Sequence, residues 1–143
     1  MMPDSDSLRI LLVEDNPGDA LLFKRAMRRA SDVIEVVHAD SGEAAMSLME
    51  DQDSSFDLVF LDLNLPKMNG LSVLKRIKSQ VYLRGTPVMI LSGSEAGDDV
   101  REAYGNFATG YIVKPGTPEG YDGIADFVVR SWFGVMKMPP TRA

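Results

Sequence analysis

The chain contains no cysteine, so no disulfide framework can brace it and no thiolate chemistry is open to it. It also lacks any apolar run near the roughly 20 residues that a membrane-spanning helix needs, and its first residues lack the apolar core of a secretion signal. A soluble, cytoplasmic protein that does not enter membranes is therefore expected. Basic residues are in short supply: 15 Lys and Arg stand against 21 Asp and Glu, for a net charge of -6. Phosphate-backbone affinity comes largely from clustered Lys and Arg, so nucleic acid is not the expected partner. An acidic chain suits cations and basic protein surfaces. What is present is 143 residues, 45% of them hydrophobic, enough for one well-filled core and too few for a second domain.

Short runs rich in Val, Ile and Leu alternate with longer amphipathic stretches, the pattern of repeated strand-helix units. The predicted strands are Ile10 to Val13, Val33 to Val37, Leu58 to Leu63, Val88 to Leu91 and Gly110 to Val113. The third is apolar at nearly every position, which implies burial on both faces of a parallel sheet. Helices are predicted from Pro17 to about Ala30, after Ser41, from about Gly70, over Glu95 to Asn106 and from Pro118 to about Phe133. Asn16 is the candidate cap of the first, with Pro17 at the position where a missing N–H is harmless. Five such pairs, with crossovers long enough for parallel pairing, predict a doubly wound α/β sandwich.

In that architecture ligands bind at the carboxyl ends of the strands. Strand one runs into Glu14-Asp15, strand three into Asp62, strand four into Ser92 and strand five into Lys114-Pro115. Three carboxylates in one crevice would raise one another's pKa unless a cation neutralised them. A hard divalent cation, Mg²⁺ or alternatively Mn²⁺, suits such an oxygen set. A lysine and a hydroxyl at the same rim suit a phosphoryl group. Asp62 is then the candidate nucleophile, since a carboxylate can attack phosphorus when cations stabilise the transferred charge.

This constellation resembles the receiver domain of two-component response regulators, and the likeness spans nearly the whole chain. It implies the flavodoxin-like strand order 2-1-3-4-5, with residues 1–8 as a disordered or extended lead, 9–133 as the receiver and 134–143 as an extension. It further implies that Asp62 is the phosphoacceptor and a metal ligand beside Glu14, Asp15 and the backbone carbonyl of Asn64. Ser92 would be the switch hydroxyl that binds phosphate with Lys114, Tyr111 the aromatic switch, and Pro115 would follow a cis bond. The segments "VEDNPGDA", "LDLNLPKMNG" and "VRSWFGVMKMPP" are similar to the single-domain regulators that serve phytochrome-type histidine kinases. That narrower likeness implies a sensor histidine kinase as partner and a homodimer through the fourth helix, fifth strand and fifth helix, joined by the C-terminal extension. The sequence departs from the family after Lys114-Pro115, where Gly116-Thr117-Pro118-Glu119-Gly120 replaces a bulky apolar residue and is expected to loosen the switch face.

Plainer readings stand beside these. Ser92-Gly93-Ser94 suits a helix cap, Tyr111 a half-buried strand aromatic, His38 an exposed strand end and Lys67 a solvated loop residue. Trp132 and Phe133 read either as core or, with more apolar surface than a frayed terminus carries, as a partner surface. A receiver that acts purely as a scaffold is one rival function. An aspartyl-nucleophile phosphohydrolase is the other, disfavoured because the position two residues after the nucleophile, where it needs an acid, holds Asn64. The expected protein is thus a signalling phosphoacceptor and not an enzyme.

Overall fold

The computed structural model describes residues 7–51, 55–135 and 137. Five parallel strands lie in the order β2-β1-β3-β4-β5: β1 Leu8–Val13, β2 Ile34–Ala39, β3 Leu58–Leu61, β4 Val88–Ser92 and β5 Gly110–Val113. The helices between and after them are α1 Pro17–Ala30, α2 Gly42–Glu50, α3 Gly70–Ser79, α4 Gly97–Gly105 and α5 Pro118–Arg130. The flavodoxin-like architecture and strand order are those expected from the sequence. Of the N-terminal stretch expected to be disordered or extended, residues 1–6 lie outside the described residues and Leu8 already belongs to β1. The Met138-Pro139-Pro140 end lies outside them too.

Period-two alternation in the strands feeds two cores. Leu11, Val13, Val59, Leu61 and Ile90 face α2 and α3. Ile10, Leu12, Leu58, Phe60 and Leu91 face α1 and α5, where Phe23 of α1 meets Phe60 edge to face at 4.9 Å. Four helices start under side-chain caps that satisfy orphan N–H groups. Asn16 accepts from Asp19, Ser41 from Ala44, Asn69 from Ser72 and Thr117 from Gly120.

Several boundaries differ from expectation for local reasons. β3 ends at Leu61 and not at Leu63, because the Asp62 carboxylate accepts the Asn64 N–H at 3.0 Å and turns the chain. Gly70 then brings α3 against that turn. A Cβ there would lie 2.0 Å from the Asp62 carbonyl oxygen, so only glycine allows the approach. α4 begins at Gly97 with no side-chain cap; Ser94 instead accepts the Ala96 N–H at 3.2 Å. α5 stops at Arg130 and passes into a wider π-type turn, Ser131–Val135, in which Trp132 packs against the α1–α5 core.

The cis bond expected before Pro115 is absent: no cis peptide bond occurs among the described residues. The trans form is the intrinsic preference even before proline, by about 0.5–1 kcal/mol. In this form the Pro115 ring rests against the first turn of α5, where a Cβ on Gly120 would lie 2.2 Å from Pro115 Cβ. Gly120 is therefore the glycine this entry requires. Gly116 has neither a positive φ nor a close neighbour, so nothing in the local backbone requires glycine there.

Phe107 holds a φ of 71° at the carboxyl end of α4 while 73% exposed. The Ala108 N–H donates back to Ala103 at 3.0 Å, a helix ending whose left-handed position glycine ordinarily fills. Phe107→Gly is expected to raise stability by about 1 kcal/mol, read as a higher urea midpoint with an unchanged denaturant slope.

Candidate functional site

The carboxyl edge of the sheet carries its polar residues one position beyond the strands, with their backbones still tied to neighbouring strands. The Glu14 N–H donates to Ala39, that of Asp62 to Val13 and that of Lys114 to Ser92, at 3.0, 3.0 and 2.8 Å. The ladder therefore extends rigidly into the site. Glu14, Asp62 and Ser92 are 2%, 4% and 0% exposed, whereas Asp15 is open to solvent. One carboxylate oxygen from each of Glu14, Asp15 and Asp62 lies within 4.8 Å of the others. That all-oxygen donor set, with one member facing solvent, fits a hard divalent cation that keeps several waters. Asn64 follows on the exposed rim, its N–H spent on Asp62.

Lys114 sits at the centre of these acids. Its ammonium lies 2.8 Å from Glu14 Oε1 and donates at 2.9 Å to Asp62 Oδ2 and at 2.9 Å to Asp19 Oδ2. Burial alone would lower its pKa, but hydrogen bonds to the three carboxylates outweigh that and hold it well above the ordinary lysine range. Glu14 responds oppositely. Burial pushes its carboxyl up to about 7, against the lowering effect of Lys114 and of the Asn16 N–H. The buried phenol of Tyr121 is raised to about 12, first by burial and then by the charge of Asp19. Its hydroxyl has no hydrogen-bond partner among the described residues.

Away from the acids, Ser92 and Tyr111 meet through one residue. Ser92 Oγ accepts the Ser94 N–H at 3.3 Å, and the half-buried Tyr111 hydroxyl donates to the Ser94 carbonyl at 2.8 Å. Ser94 and Asp19 are the members that sequence reasoning missed. Asp19 lay within the quoted "VEDNPGDA" segment, but an acid in the first turn of a helix is explained by the helix dipole alone. His38 is not the exposed strand end expected of it. It is half-buried, with Nε2 at 2.7 Å from the Glu14 carbonyl, because β2 pairs with β1 up to Ala39. Lys67 is exposed, as expected, with a φ of 61°.

Comparison with known proteins agrees with this geometry. The family model for the response regulator receiver domain matches residues 10–121. The Probable methanogenesis regulatory protein FilR2 of Methanothrix harundinacea is 35% identical, over 94% of this chain and 89% of its own length. Response regulator Rcp1 of Synechocystis is 30% identical over 91% of this chain and 92% of its own. Its Mn²⁺-bound crystal structure superposes with a TM-score of 0.84, covering 93% of this chain and 99% of that one. The phosphorylated cyanobacterial phytochrome response regulator RcpA gives 0.87 at 33% identity, covering 94% and 99%. The chain spans about half the length of other curated relatives that it matches.

The raised carboxyl of Glu14 sets a pH signature in metal-free protein. Between pH of about 4.5 and 7 the folded chain keeps a proton on Glu14 that the unfolded chain has lost, so stability falls as pH rises through that window and levels off above it. Urea melts in chelator are expected to show wild type losing up to roughly 3 kcal/mol across that window relative to Glu14→Gln, which lacks the titration.

Proposed function

The chain belongs to the response regulator receiver domain family, and from that membership we propose that it is a single-domain response regulator of a two-component phosphorelay. Asp62 accepts a phosphoryl group from a histidine kinase. The observation that carries this reading is the placement of Asp62, 4% exposed at the end of β3, against the Lys114 ammonium at 2.9 Å and inside the oxygen cluster. Residues 9–133 form the receiver and 134–143 an extension. Glu14, Asp15, Asp62 and the Asn64 carbonyl hold the divalent cation, Mg²⁺ or Mn²⁺, which when bound supplies charge neutralisation for the phosphoryl oxygens. No helix among the described residues is long and apolar enough to cross a membrane, and we assign the protein to the cytoplasm.

A carboxylate oxygen of Asp62 attacks the phosphorus of the kinase phosphohistidine. The P–N bond breaks, and its electron pair leaves with the imidazole, which takes a proton from solvent. Lys114 then donates to a phosphoryl oxygen, and the Ser92 hydroxyl turns to donate to another. Turning Ser92 withdraws its oxygen from the Ser94 N–H, and Ser94 is the residue that the Tyr111 hydroxyl grips. Phosphate thereby favours one of two arrangements of the loop after β4. The protein is a signalling acceptor and not an enzyme.

Similarity to Rcp1 and RcpA supports a phytochrome-type kinase as the partner. A groove of about 440 Å³, lined by Tyr104, Tyr111, Ile112, Phe127 and Trp132, opens on the α4–β5–α5 face. Phe127 and Tyr104 are each 50% exposed there, which is more aromatic surface than a lone domain gains by showing to water. We assign this face to a homodimer, completed by the C-terminal extension.

Incubation with acetyl phosphate and Mg²⁺ is expected to add one phosphate to the intact mass, with no adduct in Asp62→Asn or in chelator. Absence of an adduct on folded protein, from both acetyl phosphate and a kinase, would sink the acceptor reading in favour of a scaffold. Sedimentation is expected to show a concentration-dependent dimer that Phe127→Asp converts to monomer, with a loss of association of at least about tenfold.

A further inference from the structure

An ammonium group has three N–H donors, and in this structure three carboxylates surround the one on Lys114: Glu14 at 2.8 Å, Asp19 at 2.9 Å and Asp62 at 2.9 Å. Two of its N–H groups donate to Asp19 and Asp62, and the Glu14 carboxylate closes the remaining side as an ion pair. A phosphoryl group on Asp62 reaches the ammonium only if one of these carboxylates gives way. The three differ in what release would cost them. Glu14 and Asp62 side chains are 2% and 4% exposed and belong to the oxygen cluster that would hold the cation, so both are fixed in place, whereas that of Asp19 lies outside the cluster, is 32% exposed and can exchange the lysine for water. Asp19 is also anchored apart from the lysine, its backbone N–H held by the Asn16 cap at 3.0 Å. Its release therefore leaves the start of α1 intact.

We propose that Asp19 is a positioning residue that holds Lys114 on the acid cluster before phosphorylation and surrenders it to the phosphoryl group afterwards. Asp62 keeps its acceptor role from the reading above, on which this inference rests, and Asp19 sets how readily the lysine leaves.

The test uses the full chain with Mg²⁺ and beryllofluoride, a mimic of the phosphoryl group on a carboxylate, titrated by calorimetry. Asp19→Asn, which is isosteric and removes the competing charge, is expected to bind beryllofluoride roughly tenfold more tightly than wild type. Asp19→Glu is expected to restore a value close to wild type. Asp122→Asn changes the net charge equally but removes a carboxylate paired to Arg29 and not to Lys114, and is expected to leave binding unchanged. The ¹⁵N shift of the Lys114 ammonium is expected to differ between wild type and Asp19→Asn without ligand and to converge once beryllofluoride is bound.

Equal or weaker binding by Asp19→Asn would overturn the proposal. So would an equal gain in Asp122→Asn, which would mark a general field effect, or a shift difference that persists in the bound state. Beryllofluoride binding by wild type that is lost in Asp62→Asn keeps the acceptor reading intact whatever Asp19 does. Absence of binding in wild type would remove both.

Discussion

The site rests on one cation held by three anions at the carboxyl edge of a parallel sheet. Two of those carboxylates, Glu14 and Asp62, are almost wholly removed from water, and unpaired charges in such places cost several kcal/mol each. Lys114 makes their burial tolerable. Its own position follows from the Lys114 N–H to Ser92 hydrogen bond, which fastens the end of β5 to the last residue of β4. The electrostatic balance of these buried acids is thus held in large part by the chain itself.

Much of this was legible in the sequence because the signals were redundant. Each strand showed an apolar run, each was followed by an amphipathic stretch, and turn residues separated them. Polar residues at the ends of four of the runs were then enough to place Glu14, Asp15, Asp62 and Lys114 together and Ser92 on the same edge of the sheet through the fold alone. The failures share a different cause. Asp19 looked like an ordinary first-turn acid, and only the reach of the Lys114 side chain from the end of β5 to the start of α1 gives it the lysine. Ser94 is likewise hidden, since its carbonyl does the binding and a carbonyl carries no residue-type signal. The cis bond before Pro115 was inferred from likeness alone, and no residue in the sequence signals which isomer the bond takes. His38 was misread because an isolated polar residue at a strand end gives no hint of the backbone carbonyl facing it.

The connection from Asp62 to the surface is short. Asp62 touches Lys114, the backbone of Lys114 touches Ser92, the Ser92 hydroxyl touches Ser94, and the Ser94 carbonyl receives Tyr111 from β5. Tyr111 also lines the apolar groove of the α4–β5–α5 face. A change of hydrogen bonding at Ser92 thus has few links to cross before it alters a face that another protein can touch. Gly116, with no side chain to brace the turn between β5 and α5, leaves that face to be positioned mainly by Gly120, Pro115 and the packing of α5.

The bond between His38 and the Glu14 carbonyl shields the site in a way that its chemistry dictates. A backbone carbonyl only accepts, so Nε2 must carry a hydrogen, and it does so whether the ring is neutral or cationic. The sole histidine is thereby tied down at the one ring atom whose proton is common to both of its states. The link joins β2 to the backbone just past the end of β1, so the exit of that strand is fixed from its neighbour's side. The histidine thus acts as a hinge pin at the backbone of Glu14, setting where that carboxylate enters the site without touching it.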